Sequence, residues 1–166
     1  NTLYYKRLTA TGTMAGTPNF KVYMKEVTIT DFGAAALDWA TAISGAILVY
    51  DSNPASAVGS SAGFKSFPMS TNFVYLGTQN LAVFTEYTNS TASANIGWAY
   101  EFTAPCIDTA NNNTGKFTNN TTGTLPVTLT TSNYRRAIIG FDFVVSCNAP
   151  NTLVSSNITT PTADIA

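Results

Sequence analysis

Apolar residues recur at every second position in short runs along this chain, and almost nowhere at helical spacing. In Phe20-Lys-Val-Tyr-Met24 the even positions Phe20, Val22 and Met24 share one face, because side chains alternate across an extended strand with period two. The same alternation carries Leu81, Val83, Thr85 and Tyr87, then Trp98, Tyr100 and Phe102, then Leu125, Val127 and Leu129, and last Ile139, Phe141, Phe143 and Val145. Leu3, Tyr5 and Leu8 open a further run that closes at Gly12. Between these runs the polar residues are largely Thr and Asn, 27 and 16 of them, while charged residues make up only 10%. Thr, Tyr, Phe and Val suit a pleated, half-buried surface.

The runs predict an all-β, antiparallel sandwich of about eight to ten strands. Loops of unequal length favour a jelly-roll-like arrangement over a minimal immunoglobulin domain. Within it, Val27 and Ile29 switch the apolar parity of the second run from even to odd, which predicts a β-bulge near Lys25-Glu26. Residues 30–46 read as irregular, with a helical turn around residues 34–39. Ala46-Ile-Leu-Val-Tyr50 is apolar on both faces, as in a strand covered on both sides. Asp51-Ser-Asn-Pro54 is a turn. Residues 64–67 and 73–76 are read as strands flanking Pro68, and residues 107–124 as a long loop or weak hairpin.

Much chemistry is excluded at this level. There is no histidine in the chain, which removes the commonest acid–base catalyst and metal ligand together. No G-x-S-x-G elbow and no S-x-x-K motif occurs, so an enzyme is not expected. Glu86 and Glu101, on neighbouring runs, are the one carboxylate pair to weigh for glycoside hydrolysis, but Glu86 falls opposite Leu81 and Val83 and reads as solvent-exposed. The net charge is −1 and the one basic pair is Arg135-Arg136, so no nucleic-acid partner is expected. No apolar run is long enough for membrane insertion as a helix. No signal peptide is visible and Asn1 is not a start methionine, so the chain reads as a mature or excised piece of something longer.

Cys106 and Cys147 are the two cysteines. Without histidine or a C-x-x-C they do not make a zinc site. A disulfide between them would close a loop of about 42 residues and contribute roughly 4 kcal/mol in the chain-entropy picture; the competing reading is two buried thiols.

Several segments then line up with a known pattern. Phe20-Lys-Val-Tyr-Met24, Ala46-Ile-Leu-Val-Tyr50, Phe64 through Pro68, Asn72-Phe-Val-Tyr-Leu-Gly-Thr-Gln-Asn-Leu81 and Arg136-Ala-Ile-Ile-Gly-Phe-Asp-Phe143 follow in this order. Together they resemble a β-sandwich module of secreted, modular Bacteroidota surface proteins, over about residues 3–146. Phe64 stands where that pattern usually has Trp, a change in the size of a core aromatic. Cys147-Asn-Ala-Pro150, Leu153 and Ile158-Thr-Thr-Pro-Thr-Ala-Asp-Ile-Ala166 resemble the opening of a fibronectin type III domain. The expected organisation is a module at 1–146, followed at 147–166 by a linker or truncated neighbour.

The resemblance implies an adhesin or gliding-type protein exported by the type IX system, at the bacterial cell surface. This chain would be a non-catalytic module for adhesion or spacing, meeting surface polysaccharide or neighbouring domains. One alternative is a subunit of an extracellular filament, a homopolymer built by strand addition at sheet edges. Another is a carbohydrate-binding accessory of a secreted enzyme. For that role Trp39 and Tyr75 are the candidate glycan contacts, with Tyr4, Tyr87 and Tyr134 beside them; the competing reading places Trp39 and Trp98 in the core. No cofactor is expected. If calcium binds, Asp31, Asp38, Asp51 and Asp108 are the oxygen donors, against a plainer role as turn caps. Asp108-Thr109-Ala110 matches the short Bacteroidota O-glycosylation signal at Thr109.

Overall fold

The computed structural model describes residues 1–10, 12–91, 96–101, 113–142, 155–159 and 162–165. In chain order the elements are β1 (Thr2–Arg7), β2 (Asn19–Val27), β3 (Leu37–Asp38), α1 (Trp39–Ile43), β4 (Ile47–Ser52), α2 (Ala55–Val58), β5 (Gly63–Pro68) and β6 (Asn80–Thr88). There follow β7 (Tyr100–Glu101), β8 (Gly115–Phe117), β9 (Thr128–Leu129), β10 (Thr131–Asn133), β11 (Arg136–Ala137), β12 (Ile139–Phe141), β13 (Ser155–Thr159) and β14 (Thr162–Ile165). Strands dominate, every paired strand is antiparallel, and the chain is all-β. Among the described residues no helix is long and apolar enough to cross a membrane.

Two three-stranded sheets carry the core. One has the order β12-β1-β5 and the other β4-β2-β6. Leu3 and Tyr5 from β1 and Phe67 from β5 share one cluster with Val22 and Met24 from β2, Val49 and Tyr50 from β4, and Val58 from α2. Alternation is what sends these side chains the same way: Leu3 and Tyr5 are two apart, as are Val22 and Met24. Phe67 sits at the centre, with the rings of Tyr50, Phe20, Tyr5 and Trp98 at 5.4, 5.6, 5.8 and 6.4 Å. The Tyr50 and Tyr5 rings stand near-perpendicular to it, at 88° and 82°, and edge contacts of this kind add about 0.5–1.5 kcal/mol each beyond their area.

The β4-β2-β6 sheet also has a second covered face. Ala82 and Phe84 from β6 and Ala42 from α1 form a smaller cluster there, against Tyr23, Val27, Phe32, Leu37, Trp39 and Ile43. This corrects two expectations. β2 pairs with β6 from Asn19 to Val27 with no break in register, so the parity switch at Val27 marks burial on the other face, not a bulge near Lys25-Glu26. The irregularity lies between β2 and β4 instead, where Val22 opposes Tyr50 and Tyr23 opposes Leu48. Val49 is the extra residue, and it joins Tyr50 in the first cluster, while Leu48 stands opposite Tyr23 of the second face.

Other segments depart from the sequence pattern in the same manner. The helical turn begins at Trp39 rather than spanning residues 34–39, because Asp38 caps it by accepting from the Thr41 amide at 2.8 Å. Residues 73–76 form no strand. Leu125 and Val127 are exposed, and only β9 survives of that run. Phe64 is not a core aromatic: β5 turns Lys65 and Phe67 inward, and Phe64 lies outside under the Lys6 ammonium at 5.9 Å.

Arg7, fully buried, closes the open end of β1. Its Nε donates to the Thr9 carbonyl at 2.8 Å, Nη2 to the Gly12 carbonyl at 2.6 Å, and Nη1 to the carbonyls of Val58 (3.3 Å) and Gly59. The planar fork of five donors suits this task. It ties the turn after α2 to the loop after β1.

Candidate functional site

The surface with most site character lies where β2 outruns β4. Here the loop at residues 69–79 crosses the sheet end and leaves an open groove of ≈ 560 Å³. Met24 and Val27 line it with Ile29, Ile47, Phe73 and Val74. A second hollow of ≈ 500 Å³ lies at Val27, Thr28, Tyr75 and residues 77–80.

The loop is fixed at several points. The Met69 amide donates to the Asn1 carbonyl at 3.1 Å and the Ser70 amide to the Val49 carbonyl at 2.9 Å. In mid-loop, the Glu26 carboxylate accepts from two successive amides, Leu76 at 3.0 Å and Gly77 at 3.1 Å. The Tyr75 hydroxyl donates to the Gln79 carbonyl at 2.8 Å, and the Asn80 amide nitrogen to the Ile29 carbonyl at 3.0 Å. Gly77 takes a positive φ of 74°, a conformation costly for a residue with Cβ. A carboxylate on adjacent amides is a charge-assisted bond pair, stronger than its neutral equivalent. The loop therefore has one defined shape, and it points apolar side chains at solvent: Val74 is 72% exposed, Tyr75 51% and Leu76 71%. Ile29 and Ile47 continue the patch at 48% and 40%.

Tyr75 thus belongs to this surface, whereas Trp39 does not. Trp39 is half-buried on the second face of the sheet, at 78° to Tyr23 and 77° to Phe84. Its indole N–H donates to Glu86 at 2.5 Å, and Glu86 also meets the Lys21 ammonium at 3.7 Å. Glu86 is therefore largely covered, not the solvent-exposed carboxylate its strand position predicts; the indole donor reaches it from 47 residues away. Burial first, and then the Glu86 charge, push the Tyr23 phenol above its ordinary range.

The three described candidate calcium ligands each accept from a nearby donor. Asp31 takes the Gly33 amide at 2.7 Å, Asp38 the Thr41 amide, and Asp51 the Asn19 side-chain amide at 2.9 Å. The Thr41 amide holds the Asp38 carboxyl below the usual carboxylate range. They are not brought together: among the described residues no three His, Cys, Asp or Glu side chains converge. Cys106, Cys147, Asp108 and Thr109 lie outside the described residues. Tyr4 donates to Asp142 at 3.1 Å, and Tyr87 accepts from Asn89 at 3.2 Å. Glu26, which does most to shape the site, carries no signal in the sequence, since its two partners lie 50 and 51 residues further on.

Comparison with protein-family profiles, with curated proteins and with solved structures gave no match.

Proposed function

We propose that this chain is a non-catalytic, jelly-roll-like β-sandwich module of an extracellular bacterial surface protein, acting in adhesion or as a spacer through its 73–79 loop. The sandwich reading is supported by the cluster that β12-β1-β5 and β4-β2-β6 share. The single observation carrying the contact role is the presentation of Val74, Tyr75 and Leu76 to solvent by a loop that Glu26 fixes. An apolar patch held rigid in water marks a surface that meets something. Aliphatic side chains flanking one tyrosine fit the surface of a neighbouring protein domain better than a polysaccharide. The carbohydrate-binding alternative needs a flat exposed aromatic strip, and Trp39 stands edge-on to both its ring neighbours.

Burying Val74 and Leu76 in a partner is worth about 1.5–3 kcal/mol per side chain. The test compares the full chain with a Val74→Ser, Leu76→Ser double variant for retention on bacterial cells, on glycan arrays and on immobilised neighbouring domains. Retention on protein or cells that falls at least tenfold in the variant supports the reading. Equal retention, or none above an unrelated sandwich domain, overturns it, and a specific sugar hit that survives the substitutions moves the function to glycan binding. With few charges near the patch, retention is expected to change little with added salt.

A further inference from the structure

Beside the 73–79 loop the β4-β2-β6 sheet is unfinished. β2 pairs with β6 along its whole length, from Asn19 to Val27, but with β4 only from Phe20 to Met24. The chain leaves at that point through Gly45, whose φ is 74°, and the Ala46 amide donates to the Ile43 carbonyl to close the turn. From Lys25 to Val27 the backbone of β2, and Thr28 after it, have no strand beside them on the β4 side, and no backbone hydrogen bond reaches them there, among the described residues. Three to four residues of open ladder, roughly 10 Å at strand rise, thus form one wall of the ≈ 560 Å³ groove. Ile29, Ile47 and Val74 flank it.

The same chain carries a segment with the complementary deficit. β13 and β14 pair with each other and with no other described strand. A lone two-stranded hairpin is marginal in water and gains stability from a third strand. β14 is four residues long, Thr162–Ile165, which matches the open length on β2.

We propose that the β13–β14 hairpin of a second copy adds to β2 at residues 25–28, completing both sheets. Ladder hydrogen bonds give such contacts their affinity, and the side-chain groove gives them register. Each copy carries one acceptor and one donor at different places, so the contact is head-to-tail and grows into chains of molecules unless it closes into a ring. This adds an assembly mode to the adhesive reading: Val74 belongs to both surfaces, Ile47 and the open edge of β2 serve assembly alone, and Tyr75 and Leu76 take no part in it.

The test is sedimentation velocity of the full chain from about 1 µM to about 1 mM, a span that covers contacts of micromolar to millimolar strength. Ile47→Asp places a charge on the groove wall, and Ala163→Pro removes a backbone donor from β14. The wild type is expected to grow beyond a dimer with concentration. Each variant alone is expected to stay monomeric, its self-association at least tenfold weaker. An equimolar mixture of the two is expected to form a dimer and stop, because one retains only the donor and the other only the acceptor. A near-ultraviolet circular dichroism spectrum identical to the wild type confirms that each variant folds; Val74→Asp replaces Ile47→Asp if that spectrum changes. A wild type that is monomeric throughout overturns the proposal, whether the groove amides exchange freely or are protected by the chain's own hairpin. So do variants that still polymerise, and a mixture that stays monomeric while the wild type assembles.

Discussion

Tyr5 puts a hydroxyl where the fold has no use for one. Its ring is buried between Phe20, Phe67 and Trp98, at 5.8, 5.8 and 6.1 Å, and its oxygen finds no hydrogen-bond partner among the described residues. Leaving a buried hydroxyl unsatisfied costs about 1–3 kcal/mol. Tyr5→Phe keeps the ring and its three edge contacts and removes only the oxygen, so the variant is expected to be more stable by about 1 kcal/mol or more. For a chain of this size that raises the Tm by roughly 2–4 °C per kcal/mol. The measurement is urea unfolding at neutral pH, with the slope m held equal between the two proteins.

An alkaline titration gives an independent check. Burial pushes the Tyr5 phenol well above its ordinary range. Once the pH passes about 10, the unfolded chain releases this proton and the folded chain keeps it, so stability falls by about 1.4 kcal/mol per pH unit for each such group. Below pH ~10 both states are protonated and the effect vanishes. Tyr23 and Tyr50 are raised by burial too, so the wild type is expected to lose stability steeply above that pH, and Tyr5→Phe less steeply by one proton. A Phe variant weaker by 1 kcal/mol or more at neutral pH, with an unchanged alkaline slope, would show that the hydroxyl is bonded and the reasoning wrong.

Arg7→Met is expected to leave several carbonyls of the Thr9–Gly12 and Val58–Gly59 turns without donors; at about 1–3 kcal/mol each, even two cost ~2–6 kcal/mol, read by urea unfolding. Arg7→Lys should recover only part of this, since one ammonium does not span the fork, and full recovery would mean that charge, not geometry, is what the site uses. Gly16→Ala meets two obstacles, a φ of 77° and a Cβ placed 2.6 Å from Asn89 Oδ1 and 2.9 Å from Thr91 Cβ. It is expected to cost at least ~1–2 kcal/mol, whereas Gly45→Ala, with open space around its Cβ, should pay the backbone term alone; equal losses at thermal unfolding would contradict the contact.

The sequence pattern reads well where one face of a strand is buried and poorly where two are. Leu3 and Tyr5, or Phe20, Val22 and Met24, alternate cleanly, and the structure puts each set into one cluster. Val27 breaks the alternation because residues 31–43, irregular by sequence, fold over the far side of the same sheet. No local rule distinguishes that from a bulge. Val49 and Tyr50 pose the converse problem: adjacent apolar residues read as two covered faces, while an inserted residue in the ladder turns both the same way. Residues 73–76 have strand composition, but β propensity expresses fit to a half-buried pleat, and among the described residues no neighbouring strand pairs with this stretch to supply one.

The sparse acidic residues explain why the site itself was hidden. In a chain with so few charges, an isolated carboxylate reads as surface or as a metal ligand. Here the carboxylates act as acceptors for donors that the fold would otherwise strand: Asp31 and Asp38 for amides two and three residues on, Asp51 for Asn19, Glu86 for the Trp39 indole, Asp142 for Tyr4, and Glu26 for Leu76 and Gly77. The local pairs are legible as turn chemistry. The distant ones depend on which strands meet, and so appear only once β2, β6 and α1 are in place. Asp38, Asp51 and Asp142 stay exposed while bonded in this way, but around the 73–79 loop Glu26 is taken up by the Leu76 and Gly77 amides, and the surface there is left largely to Thr, Asn and exposed apolar side chains. Recognition by such a surface has to proceed through shape, amide hydrogen bonds and apolar contact, which are the properties of the 73–79 loop and of the open edge of β2.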